Sequence, residues 1–85
     1  MSWFVFVTKS ARKQLKKIPK KDSLRIEKVV DEMEIDPFTG DVQKISQYEN
    51  KWRRRVGSYR IKYEINIATK FVSVFDIKRR TSSTY

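Results

Sequence analysis

The feature that most constrains the fold is an alternation of apolar and polar residues over positions 59–67. One face of this stretch is entirely apolar or aromatic, and it comprises Tyr59, Ile61, Tyr63, Ile65 and Ile67. The other face is polar, and it comprises Arg60, Lys62, Glu64 and Asn66. A period of two is that of a β-strand, whose successive side chains point to opposite faces of a sheet. We therefore predict a strand with one face in the core and the other open.

Further strands are predicted beside it. Residues 52–56 alternate with the same period, and Gly57-Ser58 predicts a two-residue hairpin turn between the two segments. Residues 71–77 are rich in β-branched and aromatic side chains and follow a second turn at 68–70. These strands are expected to form an antiparallel meander. The polar stretch 38–51 that precedes them predicts a loop with room for one short strand.

The N-terminal half predicts a strand followed by two helices. Residues 3–7 are aromatic and β-branched throughout, which predicts a strand buried on both faces and central in the sheet. Thr8 can cap a helix whose apolar residues recur at helical spacing until Pro19 ends it. A second apolar stripe predicts another helix, which stops before Asp36-Pro37. The fold class is thus α+β, in the order β-α-α-β-β-β, with both helices packed on one face of an antiparallel sheet.

Length and composition limit the kinds of catalytic and cofactor sites that the chain can form. Residues 1–85 predict one small domain, too small for two lobes around a deep cofactor cleft. The absence of cysteine and histidine excludes thiolate nucleophiles, zinc fingers and imidazole acid–base pairs. We expect no cofactor and no metal, because only Glu64 and Asp76 are acidic after residue 52, and both are expected in cross-strand ion pairs. The lack of cysteine is typical of cytoplasmic proteins, so we expect the protein in the cytoplasm. No apolar run is long enough to predict a membrane-spanning segment.

The charge is strongly positive and unevenly distributed. The chain has 20 basic and 10 acidic residues, a formal charge of +10. Residues 52–85 hold 9 of the basic residues and 2 of the acidic ones, and the stretch from Lys9 to Lys21 has seven basic residues and no acid. Such positive fields favour polyanions or an acidic protein as partner, although the same charge would also keep a small protein in solution.

The hairpin and the last strand resemble a known family. Residues 52–65 read Trp-Arg-Arg-Arg-Val-Gly-Ser-Tyr-Arg-Ile-Lys-Tyr-Glu-Ile, and the last strand is followed by Lys78-Arg79-Arg80. This pattern is similar to that of the RelE/ParE superfamily of bacterial and archaeal toxins from type II toxin-antitoxin systems, and the resemblance covers essentially the whole chain. It implies a toxin that a cognate antitoxin protein holds inactive. The RelE branch implies cleavage of mRNA on the ribosome, whereas the ParE branch implies inhibition of DNA gyrase without catalysis.

The resemblance to the RelE-like branch also implies which side chains surround the scissile phosphate. The candidate catalytic residues are Arg53, Arg55, Arg60, Arg79 and Tyr85. The candidate RNA-binding residues are Lys62, Lys78 and Arg80. The spacing from Arg79 to Tyr85 matches that branch and favours it over ParE. Because an arginine stays protonated at any useful pH, the arginines are expected to stabilise charge, and Tyr85 is the candidate base.

Three hypotheses about function remain open at this point. The first is a ribosome-dependent endoribonuclease that uses the 2′-OH of the RNA as nucleophile and needs no metal. The second is a gyrase inhibitor, and the third is a plain basic RNA-binding domain. Arg54 is predicted to be structural, because it shares the phase of Trp52 and Val56. The aromatic residues of this hairpin are predicted to lie in the core and not to stack on nucleic-acid bases.

Overall fold

A computed structural model of the protein describes residues 3–45 and 47–79. Within them the elements are β1 (Phe4–Val7), α1 (Lys9–Lys16), α2 (Lys20–Glu32), β2 (Val42–Lys44), β3 (Lys51–Val56), β4 (Tyr59–Asn66) and β5 (Phe71–Arg79). The strands form one sheet in the order β1-β5-β4-β3-β2. The predicted α+β class and the predicted order of elements are confirmed, and β2 is the short strand for which the polar stretch had room.

The sheet is mixed, which corrects the expectation that it is wholly antiparallel. The neighbours from β2 to β5 are antiparallel, but β1 runs parallel to β5, with Phe4 opposite Phe71 and Val7 opposite Val74. Parallel neighbours need a long connection between them. Here the two helices carry the chain across one face of the sheet from β1 to β2, and the meander then returns strand by strand to β1.

β1 lies at an edge of the sheet, so the prediction of a central strand buried on both faces was wrong. Phe4 and Phe6 are 63% and 41% exposed. Their rings stack on that of Phe71, with centroids 5.3 and 6.4 Å away, while Val5 and Val7 pack against the core from the other face. The helices cover only one face, and therefore the apolar residues on the second face of β1 remain in contact with solvent.

Both helices begin where the sequence predicts. The Oγ1 atom of Thr8 accepts a hydrogen bond of 3.2 Å from the backbone N–H of Ala11, which caps α1. α2 begins directly after Pro19, and Ile26, Val29 and Met33 are the buried residues of its apolar stripe and C-terminal cap. In the part of the chain that the structure describes, neither helix is long and apolar enough to cross a bilayer.

The core is built on the apolar face of β4. Tyr59, Ile61, Tyr63 and Ile65 are all buried, as the alternation predicts, and they pack with the buried residues of both helices and of β5. The exception is Ile67, which is 69% exposed. β4 ends at Asn66, so Ile67 belongs to the turn and no longer follows the alternation.

A bulge between β4 and β5 shifts the alternation of β5. Lys62 pairs with Asp76 but Tyr63 pairs with Val74, so Phe75 is an additional residue on β5. A residue inserted in this way exchanges the faces of all that follow. Val74 and Ile77 therefore both enter the core although they are three positions apart.

Tyr63 connects the core to the loop that follows α2 through a hydrogen bond. Its buried hydroxyl donates a hydrogen bond of 2.8 Å to the carbonyl oxygen of Pro37. The next residue, Phe38, lies edge-on to the rings of Trp3 and Trp52 at 5.9 and 5.4 Å. Burial raises the pKa of Tyr63 from 10.0 to about 12, partly opposed by the nearby positive charge of Arg54.

Alkaline conditions should destabilise the fold through Tyr63. The unfolded tyrosine ionises near pH 10 and the folded one only near pH 12, so the unfolded state loses its proton first. The contribution of Tyr63 to the free energy of unfolding should be constant below about pH 10 and should fall by roughly 3 kcal/mol between pH 10 and 12. Urea unfolding from pH 8 to 11.5 measures it.

Tyr63→Phe is the control, because it removes the titration and leaves the ring in place. At neutral pH the variant should be less stable by about 1–2 kcal/mol, since the carbonyl of Pro37 loses its partner. The difference between the wild type and the variant should shrink as the pH rises above 10. Two curves that stay parallel over this range would contradict the assignment.

Candidate phosphate-binding site

Three basic side chains lie in a row across the open face of the sheet. The register pairs Arg55 of β3 with Arg60 of β4, and Arg60 with Lys78 of β5. Directly paired residues of antiparallel strands share a face, with Cβ atoms about 4.5–5.5 Å apart, and like charges at that distance repel. An anion bound on this row would relieve the repulsion, which makes the row a candidate anion-binding site.

A second row lies beside it. Arg53 pairs with Gln43 of β2 on one side and with Lys62 of β4 on the other, and Lys62 pairs with Asp76. One small pocket on this face is lined by five residues, namely Asp41, Gln43, Arg53, Arg55 and Arg60. The arginines come from β3 and β4, Gln43 comes from β2, and Asp41 directly precedes β2. Three of the predicted catalytic residues are thus brought together.

Asp41 and Gln43 contact the arginines directly, and sequence reasoning missed both. The Oδ2 atom of Asp41 is 3.2 Å from Nε of Arg55, and the backbone N–H of Arg55 donates to the carbonyl oxygen of Asp41 at 3.0 Å. Nη2 of Arg53 donates a hydrogen bond of 2.8 Å to Oε1 of Gln43. By contrast, the side chains of Arg60 and Lys62 make no ion pair or hydrogen bond with any described residue.

Arg54 lies on the helix-bearing face, as its phase predicts. Its side chain is 15% exposed, and Nη2 is 3.7 Å from Oε1 of Glu32 at the end of α2. Nη1 donates to the carbonyl oxygen of Thr39 at 3.0 Å. The guanidinium packs under Gly40, where a Cβ atom would lie 2.5 Å from Cζ of Arg54 and where φ is +90°. Arg54 therefore holds the loop before β2 and takes no part in the pocket.

The end of β5 differs from the expectation. Lys78 lies beside Arg60, whereas Arg79 lies opposite Tyr59, in the phase of the helix-bearing face. The bulge at Phe75 is the cause, because without it the two residues would exchange faces. Arg79 is therefore not brought into the row. Arg80 and Tyr85, the other predicted site residues of the C-terminal segment, lie outside the described residues.

The two acidic residues of the meander have hydrogen-bonding roles. Oε2 of Glu64 accepts a hydrogen bond of 2.8 Å from Nδ2 of Asn50. Oδ1 of Asp76 accepts one of 2.8 Å from Nε2 of Gln14, and Nζ of Lys78 is 4.0 Å away. Instead of the predicted cross-strand ion pairs, Glu64 binds Asn50, and Asp76 binds α1 and lies near Lys78 of its own strand. Within residues 3–45 and 47–79, no group of three acidic side chains is arranged to hold a metal ion.

The chemistry available in the pocket is that of binding and stabilising negative charge. A guanidinium presents N–H groups in a planar fork that can contact two phosphate oxygens at once. Three such groups from two strands can surround a phosphate on a face that the helices leave open.

Solved structures with the same fold are toxins of known systems. A chain of the archaeal RelE–RelB complex from Pyrococcus horikoshii OT3 is 27% identical, with a TM-score of 0.85 over 98% of this chain and 100% of that chain. A chain of the RelB–RelE antitoxin–toxin complex from Methanococcus jannaschii is 29% identical, with a TM-score of 0.76 over 91% and 92%. The isolated RelE toxin of E. coli shares the fold at 17% identity, with a TM-score of 0.81 over 95% and 87%.

The sequence itself also identifies a family. A search among curated proteins finds no significant match. Residues 5–83, however, match the sequence profile of the family described as ParE toxin of type II toxin-antitoxin system, parDE. The matched residues include both helices and all five described strands apart from Phe4 at the start of β1. The chain belongs to the ParE toxin family of type II toxin-antitoxin systems, within the RelE/ParE superfamily.

Proposed function

We propose that this toxin is a ribosome-dependent endoribonuclease that stops translation by cleaving mRNA. The observation that carries the proposal is the pocket formed by Arg53, Arg55 and Arg60 on the open face of the sheet. Clustered like charges cost stability, and an anion bound between them would offset that cost. A phosphodiester has the negative charge and the pair of oxygens that a guanidinium fork can contact.

The reaction that suits such a pocket uses the RNA's own 2′-OH. The 2′-OH loses its proton to a base, its oxygen forms a bond to the neighbouring phosphorus, and the bond from phosphorus to the 5′-oxygen breaks. The leaving 5′-oxygen takes up a proton, so the products are a 2′,3′-cyclic phosphate and a 5′-OH. The protein must supply the base, the acid and positive charge for the phosphate oxygens.

The residues of this chain can be assigned to these tasks. We assign the stabilisation of the phosphate charge to Arg53, Arg55 and Arg60. Lys78 lies beside Arg60 and is the candidate donor of the proton to the leaving oxygen, because an ammonium is a better acid than a guanidinium. Tyr85 is the base proposed from the resemblance, because a phenolate would be favoured if the tyrosine were bound among the arginines. The roles of Lys62 and Arg80 in RNA binding are proposed from the resemblance, whereas Arg79, which lies in the phase of the helix-bearing face, is assigned no role at the phosphate.

The proposed partners follow from the same chemistry. The ribosome and mRNA supply the phosphates, and a toxin that acts on ribosomes would work in the cytoplasm. We also propose a cognate antitoxin that covers the arginines with an acidic or extended segment, because structures of this fold from P. horikoshii and M. jannaschii are toxin–antitoxin complexes.

The second candidate function is inhibition of DNA gyrase, which the match to a ParE family profile favours. Mapping of mRNA 5′ ends after induction of the toxin separates the two candidates. We expect new 5′ ends in phase with codons within translated regions. A DNA damage response without such ends would contradict the nuclease proposal and support gyrase as the target. If induction produces neither new 5′ ends nor a DNA damage response, the remaining candidate function is that of a basic RNA-binding domain.

Removal of one arginine should abolish activity without harming the fold. Arg55→Ala and Arg60→Ala should each lower the rate of cleavage on programmed ribosomes by on the order of 100-fold or more, as the loss of charge stabilisation commonly does. Arg60→Ala should be as stable as the wild type or more so, because a repulsive cross-strand pair is removed, and Arg55→Ala should stay within about 1 kcal/mol of the wild type, because it also loses the exposed ion pair with Asp41.

Lys28→Ala is the matched control, since it removes one positive charge from an exposed position of α2. It should cleave like the wild type. The assignment of the arginines is refuted if Arg55→Ala and Arg60→Ala fold and cleave as fast as this control.

The role of Tyr85 can be separated into two parts by substitution. If its phenolate is the base, Tyr85→Phe should slow single-turnover cleavage and leave ribosome binding unchanged, because only the titratable oxygen is lost. If the ring stacks on a base of the codon, Tyr85→Phe should be nearly silent, and Tyr85→Ala should weaken the reaction by about 1–3 kcal/mol. Full activity of Tyr85→Ala would exclude both roles.

A further inference from the structure

The segment formed by residues 39–43, here called the edge segment, contacts three consecutive arginines of β3 from two faces of the sheet. On the open face, Asp41 contacts Nε of Arg55 and Gln43 accepts from Nη2 of Arg53. On the helix-bearing face, the carbonyl oxygen of Thr39 accepts from Arg54. β2 runs antiparallel to β3 here, with Gln43 paired with Arg53.

The edge segment is itself fixed in place. Arg54 is held between Glu32 and the carbonyl of Thr39, and its guanidinium fills the space under Gly40. The positive φ of Gly40 turns the chain there, and the backbone N–H of Val42 donates to the carbonyl of Gly40 at 2.9 Å. The backbone bond from Arg55 to Asp41 then joins the segment to β3. Asp41 thus reaches the open face from an anchored backbone.

Such anchors matter because free arginines would not stay together. A long side chain has about 2 kcal/mol of rotamer entropy to lose when it is ordered. Arg55 also faces Arg60 directly, so repulsion would drive the two apart. The contact of Asp41 is recorded at Nε of Arg55, and the Arg55 side chain is 54% exposed, so its outer N–H groups remain accessible to a ligand.

We propose that Asp41 and Gln43 are positioning residues, which hold the guanidinium groups of Arg55 and Arg53 so that their remaining N–H groups face the substrate phosphate. This inference rests on the proposed nuclease function and adds two residues to its site. Neither residue touches the reacting atoms, and each acts through the arginine that it contacts. Asp41 also lowers the net charge of the pocket, and this reduces the repulsion that the folded state must tolerate.

A double-mutant cycle tests whether Asp41 acts through Arg55. Asp41→Ala should lower the single-turnover rate of cleavage on programmed ribosomes by roughly tenfold to 100-fold, as a misplaced group does, with ribosome affinity unchanged within about twofold. In an Arg55→Ala background the same substitution should have no further effect, because the group that it positions is gone. An equal loss in both backgrounds would mean that Asp41 acts directly on the RNA, and would overturn the proposal.

Gln43 is tested by conservative replacement. Gln43→Met keeps the volume but has no oxygen to accept from Arg53, and it should slow cleavage by roughly tenfold, by the same misplacement. Gln43→Glu keeps the accepting oxygen and should restore most of the rate. Asp31→Ala is the matched control for Asp41→Ala, because it removes one carboxylate from an exposed position of α2. If Gln43→Met and Gln43→Glu are equally slow, or if both match the wild type, the proposal for Gln43 is wrong.

A readout without activity separates this inference from the proposed function. In the NMR spectrum of the full chain, the Nε–H signal of Arg55, identified by its loss in Arg55→Lys, should exchange slowly with water in the wild type. It should exchange several-fold faster in Asp41→Ala and stay unchanged in Asp31→Ala. An ordered Arg55 in a protein that cleaves no mRNA would refute the nuclease alone. Equal exchange in the wild type and Asp41→Ala would refute the positioning role.

Discussion

The burial of one face of β4 is the constraint on which both the fold and the site depend. Tyr59, Ile61, Tyr63 and Ile65 form the centre of the core, so the register of β4 cannot slip by one residue without placing Arg60 and Lys62 there. Burying each such apolar side chain contributes about 1.5–3 kcal/mol, whereas an exposed pair of like charges costs less than about 1 kcal/mol. The core therefore holds the basic rows side by side against their own repulsion.

The sequence predicts those parts of the molecule that depend on local pattern. The faces of β4, the hairpin at Gly57 and the cap at Thr8 follow from periodicity and turn chemistry within a few residues. The position of β1 does not, because periodicity tells how apolar a strand is but not which strands lie beside it. Phe4 and Phe6 look like core residues in the sequence, yet they stack on Phe71 at an exposed edge.

The candidate site also has parts that the local sequence pattern predicts and parts that it does not. Arg53, Arg55 and Arg60 share a face by simple alternation and do line one pocket. The bulge on β5 breaks that alternation and brings Lys78, not Arg79, beside Arg60. A signal for it was present, since the apolar residues Val72, Val74 and Ile77 are spaced by two and then by three. Asp41 and Gln43 had no comparable signal, because only the pairing of β2 with β3 brings them to the arginines.

A shared fold leaves the activity to the site, and members of one superfamily can act on different targets. In this toxin the open face has two kinds of cation. The side chains of Arg60 and Lys62 have no partner among the described residues. Those of Arg53 and Arg55 contact Gln43 and Asp41 of the edge segment. Arg54 points the other way and anchors that approach to α2. Three adjacent arginines thus serve two tasks, one on each side of the sheet.

The proposed role of these arginines is to stabilise an attack by the 2′-OH of the mRNA. Single-turnover cleavage of a synthetic mRNA on purified ribosomes, with a 2′-deoxy nucleotide on the 5′ side of the cut, shows whether the reaction uses that hydroxyl. We expect the all-RNA message to give a fragment with the mass of a 2′,3′-cyclic phosphate and the deoxy message to stay intact. Cleavage of the deoxy message at the same site, or an intact all-RNA message with active toxin present, would contradict this expectation.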